Sequence, residues 1–285
     1  MKKISTIVSG LLLAACSSIP IVDVPSANQN TRINHLVIHF TSEDFAESLR
    51  LLSQKTDRPV SVHYLVPEPG DPTYGDRRLR VYRLVEEDRR AWHAGVSYWD
   101  GADVLNDTSI GIEIVNRSAC VDSNPEAPES TPEDQHCTFL DFPEEQIDLV
   151  VRLVKDIAAR NPDIDPVDVI GHGDIAPGRR VDPGPKFPWK RLYDEGVGAW
   201  YDDDTVMKYR QRFKSGLPSA FEVQEALARY GYAVEPTGEL DPQTRFVLRS
   251  FQMHFRPSNY SGAIDAETAA ILYALNEKYR PEEDE

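Results

Sequence analysis

The chain has 285 residues, a formal net charge of −16 and a hydrophobic share of 40%. That length suits one sizeable domain and a smaller one. The acidic balance argues against nucleic acid as a partner, because phosphate neutralisation needs a cationic face; it reads as a solubilising surface.

The first residues are MKKISTIVSGLLLAACSS. Lys2 and Lys3 form a short basic region, and the apolar run from Ile4 to Ala15 is too short to span a bilayer as a helix. The run ends in LAAC, which resembles the lipobox of bacterial lipoproteins. The resemblance implies a signal peptide over 1–15, cut before Cys16, and lipidation of that cysteine. Ser17 rather than Asp follows it, which by the same resemblance implies the outer membrane of a Gram-negative bacterium, facing the periplasm. Residues 16–30 then read as the lipidated Cys and a tether, with the membrane reached through the anchor.

Strands and helices are mixed after the tether. LVIHF (36–40) reads as a buried strand. TSEDFAESLRLL reads as a helix capped by Thr41 or Ser42, with Phe45, Leu49 and Leu52 on one face. SVHYLV (61–66), VYRLV (81–85) and SIGIEIVN (109–116) read as strands, and VDVIGH (167–172) as a fifth. Pro143 to Arg160 carries Ile147, Val150, Val151, Val154, Ile157 and Ala158 at helical spacing. Cys120 and Cys137 bracket a polar, Pro-rich insertion, and in an exported, oxidising compartment they are expected to pair. Such a bond closes a loop of roughly 18 residues and is worth on the order of 3 kcal/mol. The pattern breaks over 201–215, read as a linker. AFEVQEALARYGY, DPQTRFVLRSFQMHF and DAETAAILYALNEKY then give helices across 216–280. The expected fold is α+β (α/β-like): a central mixed β-sheet flanked by helices over 31–200, plus a small C-terminal three-helix bundle.

The stretch GHGDIAPGRRVDPGPKFPW (171–189) is too rich in Gly and Pro for a helix or a central strand. It nevertheless holds His172, Asp174 and Asp182. Catalytic zinc sites combine His, Cys and carboxylate ligands and leave a position open. His172 and Asp182 suit such a site, and a further ligand could come from His35, His39, His63 or His93; spacing alone does not choose.

LVIHFT, SVHYLV, AWHAGVSYW, NDTSIGIEIVN and the 171–189 stretch, in that order, resemble the type 2 N-acetylmuramoyl-L-alanine amidases. These are zinc enzymes that share a fold with the peptidoglycan recognition proteins. The resemblance is to the Gram-negative outer-membrane lipoprotein amidases in particular, whose C-terminal peptidoglycan-binding module FQMHFRPSNYSGAIDAET also resembles. It implies one Zn2+ per chain held by His39, His172 and Asp182, with Glu113 as the catalytic carboxylate. Arg180 stands where such family members commonly carry Lys. Either cation can stabilise an oxyanion, but Arg does not readily donate a proton, which puts the acid–base weight on Glu113. His63, Tyr64, Trp92, His93 and Asn116 are expected to contact substrate or support the ligands. Asp174 is expected to be a turn or supporting carboxylate, and His35, His136 and His254 to be structural or surface residues.

The expected function is hydrolysis of the amide between N-acetylmuramic acid, or its 1,6-anhydro form, and L-Ala of the stem peptide, in wall turnover or recycling. Peptidoglycan and muropeptides are the expected partners, and the chain is expected to be a monomer. The alternatives are a non-catalytic peptidoglycan-binding lipoprotein and a zinc peptidase cutting within the stem peptide. With all metal ligands within 31–200, the C-terminal module is expected to be a second wall contact dispensable for the chemistry.

Overall fold

The strands at the centre of the fold are apolar runs buried on both faces, as a parallel sheet requires. The computed structural model describes residues 19, 22–122 and 131–281. It divides the chain into a short unit, Met1–Asn30, and a large one, Thr31–Glu285. Residues 22–30 of the short unit form no helix or strand and are exposed. Cys16 and the apolar segment before it lie outside the described residues. Among those described, no helix is long and apolar enough to cross a membrane.

The large unit opens with β1 (His35–Phe40), buried throughout. α1 (Phe45–Ser53) follows, and Asp44 rather than Thr41 or Ser42 caps it, accepting from the Glu47 N–H at 3.0 Å. Next come β2 (Tyr64–Val66), β3 (Tyr82–Arg83), the short pair β4 (Tyr98–Trp99) and β5 (Ala102–Asp103), and β6 (Ser109–Ile114). β7 (Ala119–Asp122) and β8 (Gln135–Thr138) form a hairpin in which Cys120 and Cys137 sit directly opposite and are disulfide-bonded, as expected. α2 (Glu144–Arg160), β9 (Val169–Gly171), α3 (His172–Ile175) and α4 (Trp189–Asp194) complete this part.

The sheet order is β3-β2-β6-β1-β9. β2, β6, β1 and β9 run parallel, and β3, at one edge, is antiparallel to β2. Leu36, Ile38, Ile110, Ile112 and Ile114 occupy alternate positions on β1 and β6. They share one core with Ile147, Val150, Val151, Val154 and Ile157 of α2. Side chains of this size contribute about 1.5–3 kcal/mol each when fully buried. The remaining positions of β1 and β6, among them His39 and Glu113, point to the other face.

The C-terminal part departs from expectation twice. Residues 201–215 contain a helix, α5 (Asp203–Phe213), where a linker was expected. It packs on α8 (Ala266–Tyr279), with Tyr209 and Phe213 against Tyr273, so a further helix joins the three expected over 216–280. α6 (Ala220–Tyr230) begins with a Ser219–Glu222 capping box and α7 (Pro242–Phe255) with Asp241 as cap. The bundle is also not a detached module. Trp99 meets Tyr230 and Tyr232 edge-on, with centroids 6.1 and 4.9 Å apart, and Trp189 stacks on His254 at 3.8 Å. The Arg249 guanidinium donates to the Pro132 carbonyl in the disulfide hairpin. One continuous core runs from the sheet into the helices.

Candidate active site

β1 and β9 are parallel neighbours with Ile38 beside Gly171. Their next residues are His39 and His172, so the pairing brings these imidazoles together at the strand ends. Nδ1 of His39 lies 3.0 Å from Nδ1 of His172. Asp182 Oδ2 is 3.0 Å from the first and 3.1 Å from the second. All these residues are buried. Glu113 is the register partner of His39 on β6 and presents its carboxylate to the same face.

Asp182 returns to this point because the Gly/Pro loop allows it. The Gly173 N–H donates to the Asp182 carbonyl at 2.8 Å, tying the loop to the turn after β9. A Cβ on Gly171 would lie 2.7 Å from Pro183 Cδ, so only glycine lets the ligand loop pack this closely. The Asp174 carboxylate accepts from the Gly171 N–H at 2.8 Å, which makes it the supporting carboxylate of the turn.

The partners of the imidazoles decide which nitrogens carry protons. Nε2 of His172 faces the Ala94 carbonyl at 3.1 Å and must donate to it, leaving Nδ1 a lone pair. The Ser109 hydroxyl donates to the Leu105 carbonyl at 2.5 Å and so accepts from His93 Nε2 at 3.3 Å. His93 Nδ1 then accepts from His39 Nε2 at 3.0 Å, and His39 Nδ1 is also left with a lone pair. Two imidazole lone pairs and a carboxylate oxygen thus face one another with no proton to share among them. A cation resolves this. Four-coordinate zinc with bonds of about 2.0–2.2 Å spaces its donors ~3.3 Å apart, near the distances seen. His39, His172 and Asp182 therefore fit a metal ion.

The local electrostatics agree. Burial and the neighbouring His172 hold the His39 imidazole down to about 4, so it is neutral at pH 7. Burial opposes ionisation of Asp182, but the two imidazoles beside it hold its carboxyl far below the usual range. Burial first, and the Asp182 charge second, push Glu113 up to about 8, while the Arg180 charge pulls it down. Glu113 Oε2 is out of solvent contact and has no hydrogen-bond partner. A positive charge at the ligand triangle acts on Glu113 in the opposite direction to burial and favours its carboxylate.

Other expected site residues are divided. His93 stands directly behind His39, and its ring fills the space where a Cβ on Gly111 would be 2.7 Å away. His63 is a step further back: it accepts from the Gly111 N–H at 3.0 Å and donates to the Arg89 carbonyl at 3.1 Å. Arg180 is exposed beside the site. Tyr64 is a correction: strand alternation turns it to the α2 face, where its hydroxyl donates to Glu87 at 2.6 Å. Asn116 holds the Ser118 N–H and the Asp141 carbonyl together beyond the end of β6. Trp92 is half exposed, with its backbone N–H bonded to Ser61. His35 and His136 are structural and surface residues respectively, as expected. Three residues passed over in the sequence also shape the site. Ser109 orients His93. Asn106 accepts the His93 and Ala94 N–H groups at 2.9 and 2.8 Å. Arg179 clamps the Ala94 and Val96 carbonyls at 2.7 and 2.6 Å.

The model of the family described as N-acetylmuramoyl-L-alanine amidase matches residues 29–185. The chain belongs to that family. A second model, of a peptidoglycan binding domain, matches residues 218–272 of this amidase family member. The N-acetylmuramoyl-L-alanine amidase AmiD of Escherichia coli is 45% identical over 87% of this chain and 84% of its own length. The crystal structure of AmpDh3 from Pseudomonas aeruginosa in complex with anhydromuramic pentapeptide is similar at TM-score 0.81 and 47% identity, over 94% of this chain and 99% of that one. E. coli AmiD with anhydro-N-acetylmuramic acid-L-Ala-D-gamma-Glu-L-Lys is similar at TM-score 0.74 and 44% identity, over 90% and 93%.

Proposed function

We propose that this amidase is zinc-dependent and hydrolyses the amide between the lactyl group of N-acetylmuramic acid, its 1,6-anhydro form included, and L-Ala of the stem peptide. The observation that carries the reading is the His39–His172–Asp182 triangle with Glu113 beside it in register. The anhydromuramyl peptides bound to the AmpDh3 and AmiD relatives support the substrate class.

His39, His172 and Asp182 would hold the zinc, which would supply Lewis acidity and lower the pKa of a water towards about 7. Glu113, beside His39 in register, takes the proton of the attacking water. It then delivers that proton to the amide nitrogen as the C–N bond breaks. The hydroxyl remains on the lactyl carbonyl carbon, so the products are a lactyl carboxylic acid and a peptide with a free L-Ala amino group. Arg180 offers N–H donors to the carbonyl oxygen as it gains charge. His93 holds the His39 proton on Nε2, away from the ligand atom.

We place the enzyme at the outer membrane, lipid-anchored through Cys16 and facing the periplasm, on the LAAC motif. The test is digestion of sacculi, ordinary muropeptides and anhydromuropeptides, with and without a chelator. Mass spectrometry should find intact stem peptides beginning with L-Ala, and the chelator should abolish them. Shortened peptides would mean a peptidase, and no product a binding protein. Lipid labelling of the wild type and its loss in Cys16→Ser test the anchor.

A further inference from the structure

We propose that Tyr232 and His254 are positioning residues for the metal site, reaching from the C-terminal helices to Asp174 and through it fixing the turn that carries His172. The inference rests on reading His172 as a metal ligand. Asp174 is 4% exposed, and burying a carboxylate without donors is costly. Its donors come from two directions. Oδ1 accepts the Tyr232 hydroxyl at 2.7 Å. Oδ2 accepts His254 Nδ1 at 2.7 Å and the Gly171 N–H at 2.8 Å. Gly171 is the residue before His172, and Ala176 N–H closes the same turn on the His172 carbonyl at 3.0 Å. The side chains that satisfy the turn's carboxylate therefore belong to the helical module, with only a backbone group from the turn itself.

The geometry is held from the module's side as well. The His254 ring lies between Trp189 and Phe255, stacked at 3.8 and 4.0 Å, so Nδ1 has a fixed aim. Tyr232 is packed edge-on against Trp99 and Phe251. The ligand loop is braced further along: Phe246 of α7 lies beneath Gly178, and Gln135 of the disulfide hairpin donates to the Gly178 carbonyl at 2.8 Å. A residue that orients a ligand through one intervening group belongs to the outer support that tunes metal affinity.

Packing alone predicts that any ring at 254 suffices; the hydrogen bond predicts that the donor matters. The full-length chain is compared as wild type, Tyr232→Phe/His254→Phe, His254→Phe and His254→Asn, with zinc affinity read by competition with a chromogenic chelator and turnover on a soluble anhydromuropeptide. Melting of the zinc-free proteins reports the fold. The double variant should bind zinc about tenfold more weakly, with kcat reduced and KM little changed. His254→Asn, which keeps an N–H donor but loses the stack, should bind zinc better than His254→Phe. A folded double variant with wild-type zinc affinity overturns the proposal, as does a His254→Phe that outperforms His254→Asn. If the double variant does not fold, Tyr232→Phe alone decides: it loses only a hydroxyl, and unchanged zinc affinity there overturns the proposal. A wild type that takes up no zinc overturns the ligand assignment itself, an outcome distinct from variants that bind zinc as well as the wild type.

Discussion

Glu113 Oε2 is buried and unpartnered, an arrangement that a purely structural carboxylate avoids. Glu113→Gln keeps the shape and removes the base. It should leave zinc content unchanged and lower kcat at least about a hundredfold; near-normal turnover would place the base elsewhere. His93 is the other decisive residue. His93→Phe keeps a ring against Gly111 but leaves the His39 Nε2 proton without an acceptor. Zinc affinity, measured by chelator competition, should fall about 10–100-fold. An unchanged affinity would mean that His39 is oriented from elsewhere. The three residues of the triangle are legible only through the family resemblance of their blocks; spacing alone leaves His35, His39, His63 and His93 open. The support behind them was only partly so. The sequence marks His93 but not its task, and it does not mark Ser109, whose link to His93 exists only once β6 runs beside β1. Tyr64 adjoins His63 in the sequence but not in the cleft, because successive residues of extended chain face opposite ways.

At the scale of elements, the parallel strands and α2 were readable from apolar periodicity, since burial on one or both faces writes that pattern directly. α5 was hidden: the charged run DDDTVMKYRQRF buries only Val206 and Phe213, too narrow a stripe to stand out. The interface between β4 and the bundle was not legible at all, because it joins residues far apart in the chain. Asp168 lies there and accepts the Trp99 indole N–H at 3.1 Å. Burial raises its carboxyl to about 6, against the pull of Trp99 and the Arg280 charge. The folded state therefore holds this proton more tightly than the unfolded state. Its contribution is fully present below about pH 4 and is lost as pH rises through 6. In Asp168→Asn, which keeps an acceptor for Trp99, that decline should disappear, a difference on the order of 2 kcal/mol in denaturant unfolding at pH 4 and pH 7. Identical pH profiles for the two proteins would remove Asp168 as the cause.

For the whole molecule the question is whether the helices are an appendage for wall binding or part of the enzyme. Read from sequence, they were the former, because every metal ligand lies before residue 200. The packing argues for the latter. Deleting 216–285 removes the aromatic partners of Trp99, the stacking partner of Trp189 and the Arg249 contact with the disulfide hairpin. Each large side chain returned to water costs about 1.5–3 kcal/mol, and native domains have only about 5–15 kcal/mol in hand. Two exposed tryptophans consume a large part of that margin, and Asp174 keeps only the Gly171 N–H of its three protein donors. The loss also falls unevenly: Asp174 is two residues from His172, so the ligand turn is released first. The truncated chain should therefore melt at lower temperature, retain less zinc, and lose activity on small soluble muropeptides as well as on sacculi. Zinc content by atomic absorption and turnover on both substrates check this. A truncated chain with wild-type zinc content and normal cleavage of small muropeptides, failing only on insoluble wall, would restore the helices to the role of a separable anchor.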